Sequence, residues 1–347
     1  MRRATLGLVV GLLVLAGGVT FAAVWNEPFH GEVVLGADSF GLYEPVNVTP
    51  LTTTFKRIRA LAGADTGEAV VVDGFYGSTV PSSTSIRPGQ QYDDEWALRF
   101  RSDRKYYLFL KRASATNGAP TLGGAPVATA GEAWRIATPT GGQAEVRPDG
   151  TVVATYRHSL HQAVVDAAIF ELTQTCIFDS LHAAKACVPE VRAFIDAQLT
   201  AEPASLLGTP SAADQERFFK QHAALETAYL IGYSADRARL ETYLKSPFFH
   251  TQISAVRALA RLDAADRNTM LGDFLMDETR NPLARVFAVQ AIRELKAVEL
   301  KDRLATYLPN ASTERVGLGA RVTDSRIGTM FPSSVRDALG RLLADWK

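Results

Sequence analysis

The sequence predicts an α+β chain in two parts, a small antiparallel β-barrel or sandwich followed by an α-solenoid of helix pairs. Three observations lead there. Short β-branched and aromatic runs bounded by Gly, Pro, Asp or Ser fill residues 26–157. From Ser159 onward the apolar residues switch to helical spacing. Beyond Ser211 the chain repeats itself, at offsets of 31 and then 33 residues. A length of 347 residues suffices for a core in each part, and 47% hydrophobic with 21% charged residues excludes disordered, collagen-like and multi-span membrane classes. The 37 basic residues cancel the 37 acidic ones, so no global field points to a nucleic acid or a membrane surface.

The amino terminus reads as an address. Arg2 and Arg3 precede an uncharged stretch, residues 4–25, built around the apolar run 6–16. A basic start, an apolar core and then small residues form a secretory signal, residues 1–23, with cleavage expected after Ala22 or Ala23. The alternative is an uncleaved anchor, because 4–25 approaches the roughly 20 residues that a bilayer requires. This segment has no cysteine to carry a lipid. Either way the rest of the chain is expected outside the cytoplasm, in the periplasm or the medium.

Strands are expected at residues 32–36, 53–61, 69–72, 96–100, 106–110, 145–147 and 151–156. Trp96, Leu98 and Phe100 alternate with Ala97, Arg99 and Arg101, one face inward and one in solvent. Pro148-Asp149-Gly150 is a turn signal that makes 145–156 a hairpin. The Ser/Thr/Gly/Pro-rich stretches 74–91 and 113–130 are read as long loops.

A helical connector, 158–210, comes next, with helices over 159–176 and 189–200, Pro189 at the first helical position and a linker at 201–210. It holds the only two cysteines, Cys176 and Cys187. One straight helix would hold them about 16 Å apart, so a bridge requires a turn, placed near Asp179 and Ser180. An oxidising compartment favours the disulfide, and the alternative is two buried thiols.

The last part, 211–347, carries the repeats. Ser211 with Asp214 three residues on caps its first helix. Ala255, Val256, Ala258, Leu259 and Leu262 fall on Ala288, Val289, Ala291, Ile292 and Leu295. An earlier copy contributes Ala224, Leu225, Ala228, Ile231, Leu240, Tyr243 and Leu244. A closing helix contains Val335, Ala338, Leu339 and Leu342. Small Ala residues within apolar stripes let helices approach closely, and each pair leaves a side that only a neighbour covers. Residues 309–330 interrupt the array, and Arg315, Arg321 and Arg326 there are the candidate partner contacts.

Two resemblances add to this reading. The Ala-Val-Arg-Ala-Leu core at 255–259 and the helix at 282–292 resemble HEAT repeats of the short type found in phycobilin lyases, over about 120 residues. That implies an α-solenoid, and protein–protein contact in most members with lyase chemistry in a minority. The order of Val33-Val34-x-Gly36, Phe55-x-x-Ile58-x-x-Leu61-x-Gly63, a Val-rich strand and residues 104–110 resembles bacterial relatives of the oligonucleotide-binding-type barrel of tissue inhibitors of metalloproteinases. Inhibitors of that family use an amino-terminal cysteine, which is missing here, so only the barrel shape is implied.

Catalytic motifs are missing from the sequence: no Gly-x-Gly-x-x-Gly, phosphate loop, Gly-x-Ser-x-Gly or His-Glu-x-x-His occurs. His158 and His161 with Asp166 or Glu171 were weighed as a metal set, and Asp93-Asp94-Glu95 as a calcium loop; both are read as ordinary structure, the first for too few ligands and the second for too few oxygens. Arg99, Arg101, Arg104, Lys105, Lys111 and Arg112 flank Tyr106, Tyr107 and Phe109, the composition of a single-strand groove, but a solvated strand face with its aromatics inward is preferred. The function expected is an exported, non-catalytic protein-binding or scaffold protein of the envelope. No catalytic residue, cofactor, metal or nucleic acid is expected, and membrane contact only through 4–25. The alternatives are an enzyme or enzyme inhibitor with a site in the cleft between barrel and solenoid, and a single-strand binder.

Overall fold

The structure is a computed structural model and describes residues 29–48, 52–73, 100–112, 134–138, 141–154, 164–317, 323–324, 328–329 and 333–346. It is α+β, with a closed five-stranded β-barrel followed by a helical region. The ring runs β1 (Ser39–Val48), β2 (Thr52–Gly63), β3 (Ala69–Asp73), β5 (Trp134–Ile136), β4 (Lys105–Arg112) and back to β1. All neighbours are antiparallel except β3 and β5, which run parallel at Val72 and Trp134. That order is the oligonucleotide-binding-like one, and closure removes the sandwich alternative.

Alternation along β4 explains why the barrel and the helices cohere. Tyr106, Leu108 and Leu110 point into the barrel beside Phe55, Trp134 and Ile136. Tyr107 and Phe109 point outward and join Phe40 and Leu42 of β1 against Phe170, Ile177 and Phe178 of helix α2 (Ala167–Leu181). A strand buried on both faces reads as a continuous apolar run. The rings of Phe40 and Phe109 stack with centroids 4.4 Å apart.

Beyond the ring, β6 (Gln143–Val146), β7 (Thr151–Ala154) and β8 (Val164–Asp166) extend the sheet from the early half of β4. The turn at 147–150 is the one predicted, with Gly150 at φ +80°. Strands β5 and β6 lie end to end beside β4. Between Leu110↔Ile136 and Leu108↔Gln143, β4 advances two residues and its neighbour seven, a bulge of five residues in register. Phe109 spans the mouth of this bulge, donating to the Gly142 carbonyl and accepting from Ala137 N–H, each at 2.8 Å.

Several local readings change. Residues 32–36, expected as a strand, belong to a single-turn helix α1 (His30–Leu35), because Val33 and Val34 sit together in the core between barrel and helices rather than on alternate faces. The helix expected over 159–176 begins at Ala167, after β8, where Asp166 caps it by accepting from Ile169 N–H at 2.9 Å. It runs on through Asp179 and Ser180 to Leu181, so the reversal towards Cys187 lies at 182–185, with Ala183 at φ +51°. Strand β1 fills a stretch for which no strand was expected. The expected strand at 96–100 lies outside the described residues except for Phe100, which is in no strand.

Cys176, in α2, and Cys187, just before α3 (Pro189–Leu199), form the disulfide, with Cα atoms 5.1 Å apart. Replacing Cys187 by Ser is expected to cost about 3 kcal/mol in a urea titration, the loop-closure value for so short a loop. A change below about 0.5 kcal/mol would show that the two helices hold each other without the bond.

Helix α4 (Ala212–Ile231) starts at the predicted capping box of Ser211 and Asp214 and ends on Gly232 at φ +69°. After it come α5 (Arg237–Leu244), α6 (Phe249–Leu259), α7 (Arg267–Met276), α8 (Pro282–Leu295), α9 (Lys301–Tyr307) and α10 (Val335–Asp345). Helices α4, α6, α8 and α10 pack side by side in chain order, while α5, α7 and α9 each pack on the next member of that row. The repeated Ala and Leu positions form the core between the two layers: Ala255, Val256, Leu259, Ala288, Val289 and Ile292 are all buried. Arg336 of α10 clamps the preceding loop, donating to the Ala311 and Pro309 carbonyls at 3.0 and 2.6 Å. No helix among the described residues is long and apolar enough to cross a membrane.

Candidate functional site

A network of charged and aromatic side chains crosses the C-terminal ends of α4, α6 and α8, beside the junction with the barrel. Arg257 on α6 donates through Nε to Glu226 on α4 at 2.8 Å, and Arg261, one turn later, reaches Glu294 on α8 at 2.5 Å. Both guanidinium groups lie on the ring of Tyr229, 4.0 and 4.6 Å from its centroid. The Tyr229 hydroxyl donates to the second oxygen of Glu294 at 2.9 Å. Burial, set against the pull of Arg257, pushes the Tyr229 hydroxyl above its ordinary range, so it keeps its proton at neutral pH.

The barrel side of this network is supplied by His30 of α1. Its Nε2 lies 2.6 Å from Gln174 Oε1 of α2, and its ring meets Phe109 edge-on at 5.6 Å. Burial, and after it the charge of Arg257, lower its pKa below the ordinary 6.5. Further along the seam Glu171 accepts from Tyr107 Oη and from Arg59 Nη1, each at 2.6 Å.

Two guanidinium groups face two carboxylates in this cluster, so it carries no net charge. Both oxygens of Glu294 are engaged, and Glu226 is bound to Arg257 through Oε2 while its Oε1 is buried with no hydrogen-bond partner among the described residues. General acid–base work needs a carboxylate or imidazole within reach of a substrate proton, and this pairing holds the acids in ion pairs. A second arrangement invites comparison with a nucleophile and its base: Ser254 Oγ lies 3.2 Å from His222 Nδ1, with Thr251 Oγ1 3.4 Å from Nε2. Ser254 is fully buried, however, and a nucleophile must meet a substrate carbonyl, so the pair reads as core hydrogen bonding.

The described residues among those singled out from sequence serve structural contacts. Glu171 is committed to Tyr107 and Arg59, and Asp166 to the start of α2, while His158, His161 and 93–95 lie outside the described residues. No group of three or more metal-ligating side chains occurs among the described residues. Tyr106, Tyr107 and Phe109 are buried in the two cores that β4 separates, so none is offered to a base. Arg101 pairs with Asp103, and Arg104 with Asp103 and Glu145. Arg315 is exposed and acts on Asp337 at the start of α10; Arg321 and Arg326 lie outside the described residues.

Sequence reasoning passed over Glu226, Tyr229, Arg257, Arg261, Glu294 and His30. A signal for two of the ion pairs was present. Glu226 and Arg257 occupy one position in copies 31 residues apart, and Arg261 and Glu294 one position in copies 33 apart, each pair opposite in sign. Comparison with protein-family models, with curated proteins and with solved structures finds no match to the chain.

Proposed function

We propose that this is an exported, non-catalytic protein-binding or scaffold protein of the cell envelope, whose helical part is a short HEAT-type solenoid. One observation carries the reading. Side chains at the same position of successive copies pair with each other, Glu226 with Arg257 and Arg261 with Glu294. Stacking by translation is what brings equivalent positions side by side, and it is the geometry of helical repeats that present an extended surface to a partner. The Cys176–Cys187 disulfide supports an oxidising compartment, and with Arg2, Arg3 and the apolar run 6–16 it supports export. The charge-neutral network beside the barrel, with Glu226 and Glu294 both in ion pairs, supports binding over catalysis.

The partner surface we assign is the interruption at 309–330, with Arg315, Arg321 and Arg326. The test captures envelope proteins on the tagged chain and on a variant with all three arginines changed to Glu. The expected result is one retained protein whose recovery from the variant falls about tenfold, the effect of losing roughly 1.4 kcal/mol of contact energy. Recovery of nothing by the folded native chain would sink the proposal. Equal recovery by both would move the contact off this loop.

A further inference from the structure

Helix α1 is docked at the junction of barrel and helices through its side chains. It has six residues, and its backbone bonds are local: Glu32 and Val33 N–H donate to the Phe29 carbonyl, Gly36 N–H to Glu32 and Ala37 N–H to Val34. What fixes it is side-chain packing at the junction of barrel and helices: Val33 and Val34 in the shared core, Gly31 against Leu230 of α4, and His30 against Gln174 of α2 and Phe109 of β4. A Cβ on Gly31 would lie 3.1 Å from Leu230 Cδ2, so the approach is close. Leu35, the last residue of the helix, is exposed, and Gly36 leads to Asp38, whose N–H donates to the Leu110 carbonyl at 2.7 Å and begins the barrel. An element whose backbone hydrogen bonds are its own can detach as a unit, at less cost than global unfolding, when its side-chain docking is weakened.

We infer that α1 is an acid-sensitive latch, released from the seam when His30 takes up a proton, with the barrel and the helical layers remaining folded. The groups facing His30 set the sign. Gln174 on α2 is neutral, Phe109 on β4 is apolar, and Arg257 on α6 is a cation whose partner is Glu226 on α4. Glu171, one turn before Gln174, is committed to Tyr107 and Arg59, and Glu32 is the acid of α1 itself. A positive charge on the half-buried His30 faces the cation Arg257, with a neutral amide and an apolar ring as its contacts. Because the native pKa lies below 6.5, the unfolded or released helix binds the proton more readily than the docked one. Docking is therefore strongest above pH 6.5 and weakens as pH falls through it, levelling once the native pKa is passed.

Hydrogen exchange on the full chain tests this, comparing the native protein with His30→Gln at pH 7.5 and 5.0 after correction for intrinsic rates. Protection of the amides at 32–37 is expected to fall about tenfold per pH unit from 6.5 down to the native His30 pKa, to level below it in the native protein and to stay level throughout in the variant, with α6 and α8 unchanged in both. Equal pH dependence in both proteins would overturn the latch, and so would a loss of protection spread over the whole chain. If His30→Gln fails to fold, the His30 ring signal in the native protein is decisive: a midpoint at or above 6.5 refutes the inference.

Discussion

Phe40→Ala is expected to destabilise the chain by about 3–5 kcal/mol, the usual cost of emptying a buried phenylalanine site. Phe40 is fully buried, stacks on Phe109 at 4.4 Å and lies 6.0 Å from the Tyr107 ring and 6.4 Å from that of Phe170. Those neighbours come from β4 and α2, so the cavity opens between barrel and helices rather than inside either. Polar relief is not at hand, because Val34, Phe109 and Phe178 line the same cluster. A urea titration followed by tryptophan fluorescence and by helical circular dichroism measures it. The two signals are expected to shift together, because the shared core makes the parts unfold as one. If only one signal moves, the seam does not couple them.

The second large effect is expected at Gly63→Ala, roughly 3 kcal/mol from a left-handed residue at about 1–2 kcal/mol plus overpacking at about 1–3 kcal/mol. Gly63 ends β2 at φ +78°, opposite Ser39. A Cβ there would collide with the Asp38 carbonyl oxygen and come within 2.8 Å of the Phe178 ring. The Asp38 carbonyl also accepts from Ala64 N–H at 2.8 Å, so the carbonyl cannot swing aside without losing that bond. Gly67 supplies the control. Its φ is +75° but nothing lies within 4 Å of its Cβ position, so Gly67→Ala is expected to cost only the backbone share, about 1 kcal/mol. Thermal unfolding of the two variants compares them directly. Equal losses would mean that the close approach to Asp38 contributes nothing.

The helical half was the more legible because its information is local. Ala and Leu at helical spacing, Ser211 with Asp214, Pro189, and Asn281 with Pro282 mark helix faces and ends within a few residues. The barrel is closed by pairs far apart in sequence, such as Phe40 with Phe109 and Val72 with Trp134. Gly41, Glu44, Pro45 and Asn47 interrupt the alternation of β1, and three register irregularities along its pairing with β2 absorb them. Nothing within the strand itself announces this. In α1 the run Val33-Val34-Leu35 has the composition of a strand, and only a core on one side of it makes the helical turn favourable. The seam network is split in the same way. Its ion pairs between copies follow from the repeat offset, while the meeting of His30 with Gln174 spans 144 residues and has no local signature.

The pairing of equivalent positions also fixes the order and the number of the helix pairs. One position carries Glu226, Arg257 and Gln290 in turn, and another Leu230, Arg261 and Glu294. Excising α6 and α7 would bring Glu226 beside Gln290 and Leu230 beside Glu294, leaving both acids without a cation and Tyr229 without either guanidinium. The middle helix pair is therefore not interchangeable with its neighbours, because Arg257 meets an acid of the helix before it and Arg261 an acid of the helix after it.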